Sequence, residues 1–157
     1  MENHNIVQAD YWDKESGRIV KVNEEMSDLA RKEIVDFFDF IDLGEKKCVL
    51  EIGSGAGRFT LFLLRRGHKV TATDVSQKSL QLLYDCAIKE SLANRLEIMA
   101  TDFSQKIFFE KFDVVIIGNV IHHFDPSKKQ IIMNNIVESL KPGGVIGIWE
   151  PNALFPF

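Results

Sequence analysis

The sequence predicts an α/β fold, with a doubly wound, mainly parallel sheet and helices on both of its faces. Short apolar runs alternate along the chain with segments of helical periodicity, which is typical of strands joined by helical crossovers. The chain has 157 residues, of which 45% are hydrophobic and 27% charged, so its size and composition suit one compact globular domain. In such a sheet, ligands bind beyond the carboxyl ends of the strands.

The first predicted helix covers residues 23–41, where apolar residues recur at helical spacing and stop at Leu43–Gly44. The apolar run at residues 48–52 predicts a strand that ends at a cluster of glycines. A helix over residues 58–66 comes next, with Gly67 placed to end it. The order is therefore strand, glycine turn and helix.

The same unit then recurs. Residues 69–73 predict a second strand, Ser76 is placed to cap the next helix, and residues 77–92 have the pattern of that helix. Residues 96–100 predict a third strand.

The last predicted unit starts at residues 112–117, a nearly continuous apolar run that is typical of a strand covered on both faces. A helix over residues 127–140 comes next and ends at a break, residues 141–144. Residues 145–149 predict a fifth strand.

Charge and cysteine content exclude several classes of protein. Nineteen Lys and Arg against 23 Asp and Glu give a formal net charge of -4, the wrong sign for a surface that binds nucleic acid. Cys48 and Cys86 show no metal-ligand spacing, so no metal site is expected. The first residues lack the basic and apolar regions of a signal peptide, and no apolar stretch has the length of a membrane span. We therefore expect a cytoplasmic protein.

The glycine turn after the first strand is the strongest local signal. Glu51 precedes Gly53, Gly55 and Gly57, and the missing side chains let a ligand approach the backbone. The spacing G-x-G-x-G differs from the G-x-G-x-x-G of dinucleotide-binding proteins, which argues against a nicotinamide cofactor and an oxidoreductase. A carboxylate here suits an ammonium or sulfonium group better than a pyrophosphate.

Two aspartates lie at the carboxyl ends of the second and third predicted strands. Asp74 is placed to accept hydrogen bonds from the hydroxyls of a ribose, and Asp102 to accept one from an exocyclic amine, while Phe103 packs on a base. Together they predict a nucleoside ligand. A structural interpretation also stays open for each residue, because a glycine turn can serve packing and an aspartate before Ser76 can serve the helix N-terminus.

Five sequence blocks resemble those of class I S-adenosylmethionine-dependent methyltransferases of the ubiquinone-biosynthesis-like, small-molecule type. The blocks are VLEIGSGAGRFT, TATDVS, ATDF, FDVVIIGNVIHHF and LKPGGVIGIWEPN, within residues 45–152. The resemblance implies a Rossmann-like sheet of strand order 3-2-1-4-5. It also implies S-adenosylmethionine as cofactor, S-adenosylhomocysteine as product, and an oxygen, nitrogen or carbon nucleophile of a small molecule as methyl acceptor.

The resemblance implies that the glycine turn surrounds the methionine part of the cofactor, that Asp74 holds the ribose, and that Asp102 with Phe103 frames the adenine. The main chain of Gly118 and Asn119 is expected to face the amino group. The predicted cofactor-binding residues are Tyr11, Glu51, Gly53, Ser54, Gly55, Gly57, Asp74, Val75, Asp102, Phe103, Gly118 and Asn119.

His122 and His123 come after the fourth strand, where one of them is predicted to remove a proton from the acceptor as a general base. Alternatively, the pair caps the strand and packs on the next loop. The sequence does not choose between the two histidines. Tyr11 and Trp12 have two interpretations as well, as part of a lid over the cofactor or as aromatic residues packed on the core.

Residues 1–44 are expected to form an N-terminal lid and helical segment, and residues 45–157 the cofactor-binding domain. Only eight residues come after Trp149, too few for the C-terminal strand hairpin of the family that the chain resembles. The fifth strand is therefore expected to be an apolar edge, in a truncated chain or covered by a second copy or a partner. The alternative function is a non-catalytic module that binds S-adenosylmethionine or S-adenosylhomocysteine and acts through that partner.

Overall fold

The computed structural model describes residues 4–24, 27–45, 47–105 and 107–151. The helices are α1 (His4–Glu24), α2 (Asp28–Ile41), α3 (Arg58–Arg65), α4 (Gln77–Lys89) and α5 (Lys129–Glu138). The strands are β1 (Cys48–Ile52), β2 (Lys69–Asp74), β3 (Leu96–Ala100), β4 (Phe112–Gly118) and β5 (Leu140–Trp149). Short 3-10 turns lie at Ala93–Arg95 and Ile121–His123.

The strands form one sheet in the order β3-β2-β1-β4-β5, and every pair of neighbours is parallel. The predicted doubly wound, Rossmann-like sheet of order 3-2-1-4-5 is therefore confirmed. In the register, Ile52 at the end of β1 is paired with Thr73 on one side and with Ile117 on the other. The carboxyl ends of the three central strands therefore reach the same edge of the sheet.

Alternate residues of the central strands enter two cores, one on each face of the sheet. In β4, Val114 and Ile116 belong to the core that also contains residues of α2, α3 and α4, whereas Val115 and Ile117 belong to the core that contains residues of α5. All four side chains are buried. Burial on both faces explains the continuous apolar run from which this strand was predicted.

Strand β5 begins earlier than predicted, at Leu140 instead of residue 145, and α5 ends at Glu138 instead of residue 140. The pairing between β4 and β5 shifts between Phe112, which is opposite Leu140, and Val114, which is opposite Val145. Residues 141–144 form an irregularity within β5 instead of the predicted break. A sheet tolerates proline and glycine at such an irregularity, which explains why the strand continues through them.

The N-terminal part is more helical than predicted. Helix α1 covers His4–Glu24, and the helix expected to start at residue 23 starts at Asp28. Ser27 is its N-cap, with Oγ accepting a hydrogen bond from the Ala30 N–H at 3.2 Å. The division into a lid segment and a domain stays a prediction, and residues 152–157, at the end of the predicted domain, lie outside the described residues.

Within the described ranges, no helix is both long and apolar enough to cross a bilayer, and no cluster of His, Cys, Asp and Glu suits a metal ion. The cytoplasmic location stays a prediction. Strand β5 lies at one edge of the described sheet, and its Val145 and Ile148 are 46% and 49% exposed. What covers this edge also stays a prediction.

Gly57 is expected to be essential for packing. Its φ is +91°, and a Cβ at this position would lie 2.2 Å from Cδ1 of the buried Leu83 on α4. We expect Gly57→Ala to lower the free energy of unfolding by roughly 2–4 kcal/mol, through backbone strain and overpacking. Gly44→Ala is the control, because Gly44 also has a positive φ but open space around it, so the loss should be about 1 kcal/mol. Urea unfolding measures both, and equal losses would contradict the packing role.

Candidate active site

A cavity of about 280 Å³ opens at the carboxyl ends of the central strands. Eleven residues that the sequence predicted for the site line it. They are Glu51, Gly53, Ser54, Gly55, Asp74, Val75, Asp102, Phe103, Gly118, Asn119 and His123. Tyr11, Gly57 and His122 are not among the lining residues. The parallel register accounts for this convergence, because it brings segments far apart in sequence to the same edge of the sheet.

The three glycines of the turn have positive φ values but different surroundings. A Cβ at Gly53 would lie 2.5 Å from a methyl group of Val120, so this glycine lets the β1 turn pack against the turn after β4. A Cβ at Gly55 would meet nothing within 4 Å, and the residue lines the cavity. Gly57 instead allows α3 to approach Leu83 of α4. Gly55 is therefore open to a ligand, whereas Gly57 serves packing.

Glu51 is a buried acid at the end of β1, only 3% exposed. The Thr60 hydroxyl on α3 donates a hydrogen bond to its Oε2. Burial raises the pKa of Glu51 to about 8, and the neighbouring Asp74 charge adds to the increase, whereas the hydrogen bond from Thr60 and the charge of Arg58 oppose it. A positively charged ligand group in the cavity would favour the ionised carboxylate.

Asp74 joins the turns after β1 and β2. Its Oδ2 accepts a hydrogen bond from the Gly55 N–H and its Oδ1 accepts one from the Ser76 N–H, each at 2.8 Å. Burial raises the pKa of Asp74 in spite of these hydrogen bonds. Because a carboxylate oxygen accepts more than one hydrogen bond, both atoms can also receive hydroxyl donors from the cavity side.

Asp102 and Phe103 are placed differently from each other. Asp102 lines the cavity, and its Oδ1 accepts hydrogen bonds from the N–H and the hydroxyl of Ser104. Phe103 has a φ of +57° and is 1% exposed, with its ring 6.2 Å from that of Phe108 in the core. A ring this buried has little surface left for a base, so the geometry does not favour the predicted stacking.

The turn after β4 is held by Glu150, which sequence reasoning did not assign to the site. Its Oε1 accepts hydrogen bonds from the N–H groups of Val120 and Ile121, at 2.7 and 2.8 Å, and its Oε2 lies 2.7 Å from His122 Nδ1. Burial opposes ionisation of Glu150, but these hydrogen bonds together hold its pKa below the usual range. The acidic residue at the end of β5 thus fixes the turn that carries Asn119.

The two histidines face different surroundings. His123 lines the cavity, and its ring lies 5.1 Å from that of Trp12 in an edge-on contact. His122 contacts Glu150 instead, and its side chain is 47% exposed. The structure therefore separates a pair between which the sequence could not choose.

Helix α1 presents Trp12 and Gln8 to the cavity, and the Trp12 indole N–H donates a hydrogen bond to Gln8 Oε1 at 3.1 Å. Tyr11 is 52% exposed and does not line the cavity. Residues four apart share a helix face, whereas adjacent residues point about 100° apart. The expected N-terminal aromatic contact thus shifts from Tyr11 to Trp12.

An aspartate fixes helix α1 over the site. Asp13 Oδ1 accepts hydrogen bonds from the Ser76 hydroxyl at 2.5 Å and from the Lys78 N–H at 3.2 Å. Ser76 is also the N-cap of α4, as predicted, with its Oγ accepting a hydrogen bond from the Ser79 N–H. The helix that carries Trp12 is therefore attached to the same turn that comes after Asp74.

Ser54 provides an independent indication of a polar ligand. Its hydroxyl is buried and has no hydrogen-bond partner among the described residues, yet the residue lines the cavity. A buried hydroxyl without a partner is unfavourable, so such a group at a cavity wall fits a ligand that supplies the missing hydrogen bond.

The comparisons with known proteins agree with this geometry. The sequence model of the family described as "Methyltransferase domain" matches residues 49–144. Phosphoethanolamine N-methyltransferase 1 of Triticum aestivum is 26% identical over 151 residues, which cover 92% of this chain and 30% of that protein. Cypemycin N-terminal methyltransferase of a Streptomyces species is 31% identical over 100 residues, covering 62% of this chain and 39% of that protein. The chain thus spans less than half the length of these relatives.

Solved structures share the fold. Phosphoethanolamine N-methyltransferase 1 of Haemonchus contortus, in complex with phosphoethanolamine and S-adenosylhomocysteine, superposes with a TM-score of 0.73 at 18% identity, covering 96% of this chain and 33% of that one. The [4+2]-cyclase SpnF superposes with a TM-score of 0.70 at 23% identity, covering 81% and 48%. At these identities the likeness shows the fold.

Glu51 gives the site a testable pH dependence. Its pKa in the folded protein is raised from 4.5 to about 8, so the folded state favours the protonated acid. The associated stabilisation is present at acidic pH and is lost as the pH rises towards about 8. Relative to Glu51→Gln, the wild-type free energy of unfolding should fall by a few kcal/mol across this window. Urea unfolding at several pH values measures the difference, and a difference that stays constant with pH would contradict the assignment.

Proposed function

The chain belongs to the methyltransferase domain family, whose cofactor is S-adenosylmethionine, and from this premise we propose that it methylates an oxygen, nitrogen or carbon nucleophile of a small molecule. The observation that carries the proposal is the convergence of three groups around one cavity: the buried acid Glu51, the partly buried carboxylate of Asp74, and the Ser54 hydroxyl, which has no hydrogen-bond partner among the described residues. A nucleoside that also bears a positive charge matches this set of groups.

The residues that hold the cofactor are assigned from the chemistry of their side chains. Asp74 accepts hydrogen bonds from the two ribose hydroxyls, because its oxygens lie at the end of β2 and already form an acceptor pair. Glu51 faces the ammonium of the methionine part, where a positive charge offsets the cost of burying the carboxylate. Asp102 is the acceptor for the exocyclic amine of adenine.

When bound, S-adenosylmethionine supplies an electrophilic methyl group attached to a positively charged sulfur. The protein then mainly has to orient the acceptor and exclude water, and the aromatic ring of Trp12 is suited to cover the cavity. His123 removes the proton that an acceptor hydroxyl or ammonium must lose, since it is the histidine on the cavity wall.

The charges of the wall favour an acceptor without a phosphate group. Among the described lining residues, Arg58 is the one Lys or Arg, against the carboxylates of Asp74, Asp102 and Asp125 and the buried acid Glu51. A phosphate normally requires several donors or cations, and an acidic wall repels it. This supports a neutral or cationic acceptor, unlike the phosphoethanolamine of the Haemonchus contortus complex.

The exposed edge of β5 favours a second candidate function. Val145 and Ile148 are about half exposed there, and an apolar sheet edge of this kind suits a protein partner or a second copy of the chain. A cofactor-binding module acting through that edge would bind S-adenosylhomocysteine but would transfer no methyl group. Binding without turnover across a broad panel of small-molecule acceptors would favour this alternative.

Asp74→Asn tests the nucleoside site. The substitution keeps the shape of the side chain but removes the charge and one acceptor, so the Kd for S-adenosylhomocysteine should rise about 10- to 100-fold in calorimetric titration. Asp85→Asn is the matched control, because Asp85 lies on the exposed side of α4, where it accepts a hydrogen bond from Gln81. Unchanged affinity in a folded Asp74→Asn variant, or no binding by the folded wild type, would refute the nucleoside site.

A comparison of the two histidines tests the proton acceptor. With an acceptor found by screening, His123→Asn should lower kcat by roughly 10²- to 10⁴-fold with little change in the Kd for S-adenosylhomocysteine. His122→Asn should retain most of the rate, because this ring contacts Glu150 instead of the cavity. If His122→Asn caused the larger loss of kcat, the assignment would be reversed.

A further inference from the structure

Glu150 contacts the histidine turn, residues 120–123, through both of its carboxylate oxygens. Oε1 accepts hydrogen bonds from the backbone N–H groups of Val120 and Ile121. Oε2 lies 2.7 Å from the Nδ1 atom of His122. The side chain of Glu150 is 23% exposed, and the residue is not among the described residues that line the cavity. One carboxylate outside the cavity thus fixes both the backbone of the turn and one of its two imidazole rings.

The backbone contacts set the rotation of the histidine turn. Its first internal hydrogen bond joins the His123 N–H to the Val120 carbonyl at 3.0 Å. The N–H groups of Val120 and Ile121 therefore come before the point at which the turn satisfies its own donors, and Glu150 accepts both. Adjacent side chains point roughly 120° apart in a 3-10 turn, because it has three residues per turn. The rotation of the turn consequently decides which histidine faces the cavity.

The ring contact holds His122 on the outer side. An ionised carboxylate only accepts hydrogen bonds, so the Nδ1 atom of His122 carries the hydrogen that joins it to Glu150. Burial opposes ionisation of Glu150, but its hydrogen bonds outweigh burial and hold its pKa below the usual range. The centroid of the His122 ring lies 4.0 Å from that of His123, which lines the cavity. The two rings are neighbours, but His123 is the one that borders the cavity.

We propose that Glu150 is a positioning residue that makes His123 the proton acceptor of the site, by fixing the rotation of the histidine turn and holding His122 away from the cavity. The inference rests on the proposed function, because it assumes that His123 takes the proton of the methyl acceptor. That proton moves from the acceptor to a ring nitrogen of His123, and Glu150 itself takes up no proton. The effect of Glu150 on turnover therefore depends on His123 being present.

The first experiment measures the state of His122 without any ligand or turnover. In protein with isotope-labelled histidine, the nitrogen NMR shifts report which ring nitrogen carries the hydrogen in the neutral ring, and His122→Asn assigns the signals. We expect the Nδ1–H form in the wild type. Glu150→Gln should reverse it to the Nε2–H form, because the amide group donates a hydrogen bond to Nδ1 while its oxygen still accepts the backbone N–H groups. An Nε2–H form in the wild type, or an unchanged form in Glu150→Gln, would overturn the inference.

The second experiment measures kcat with an acceptor found by screening. Glu150→Ala removes all three contacts and should lower kcat about tenfold or more, because a misplaced ring loses the geometry of proton transfer. Glu150→Gln keeps the contacts and should stay within about threefold of the wild type. Glu90→Ala is the matched control, because Glu90 pairs with Arg65 on the surface away from the cavity, and it should leave kcat unchanged. A loss in Glu150→Gln as large as that in Glu150→Ala would contradict a positioning role, since it would depend on the charge.

A double-mutant cycle separates the positioning of His123 from a general loss of structure. If Glu150 acts through His123, then adding His123→Asn to Glu150→Ala should lower kcat at least about tenfold less than His123→Asn does in the wild type. Glu150→Asp keeps the charge but shortens the side chain by one carbon, so it replaces Glu150→Ala in the cycle if that variant does not fold. Losses of kcat that multiply independently would show that Glu150 does not act through His123, and the inference would be wrong.

The failure of this inference and the failure of the proposed function give different results. If the wild type transfers a methyl group and His123→Asn lowers kcat, but Glu150→Ala does not, the positioning role is wrong and the proposed function survives. If the folded wild type neither binds S-adenosylhomocysteine nor methylates any acceptor, the proposed function fails. The positioning role then fails with it, whichever nitrogen of His122 carries the hydrogen.

Discussion

The site depends on the parallel register of the central strands, which ends β1, β2 and β4 at one edge of the sheet. Because Ile52 is paired with both Thr73 and Ile117, the residues just beyond these strands converge although up to 65 positions separate the paired strand ends in sequence. Asp74 then joins the turns after β1 and β2, because its carboxylate accepts hydrogen bonds from the N–H groups of Gly55 and Ser76. A single carboxylate thereby fixes the wall of the cavity and provides the acceptors that a ribose requires.

The same register brings several acidic side chains together at the cavity. Glu51 is buried, and burial raises its pKa because it makes ionisation costly. A positively charged ligand group would offset this cost and favour the ionised carboxylate. Asp13 and Glu150 lie behind the residues that line the cavity. The first attaches α1 to the β2 turn and the second holds the turn after β4, so both stabilise the backbone of the site without lining the cavity.

Sequence reasoning predicted the features that local pattern determines. Strand β3 has the predicted bounds, residues 96–100, and the glycine turn lies on the cavity, because periodicity and glycine spacing are local properties. Features that depend on helix phase or long-range contacts could not be predicted. The orientation of Trp12 depends on how α1 is rotated about its axis. The buried position of the Phe103 ring depends on a left-handed backbone conformation at that residue. The role of Glu150 depends on its contact with Val120, 30 positions earlier in the sequence. The different surroundings of His122 and His123 also depend on long-range contacts, with Glu150 and Trp12 respectively.

The most direct test of the central claim is a crystal structure of the chain with S-adenosylhomocysteine bound. The ribose hydroxyls are expected within hydrogen-bonding distance of Asp74, and the amino-acid part is expected against the turn between β1 and α3, beside Glu51. Trp12 and His123 should border the side of the ligand that the methyl acceptor approaches. A ligand bound away from the carboxyl ends of β1 and β2, or one with its ribose remote from Asp74, would contradict the account.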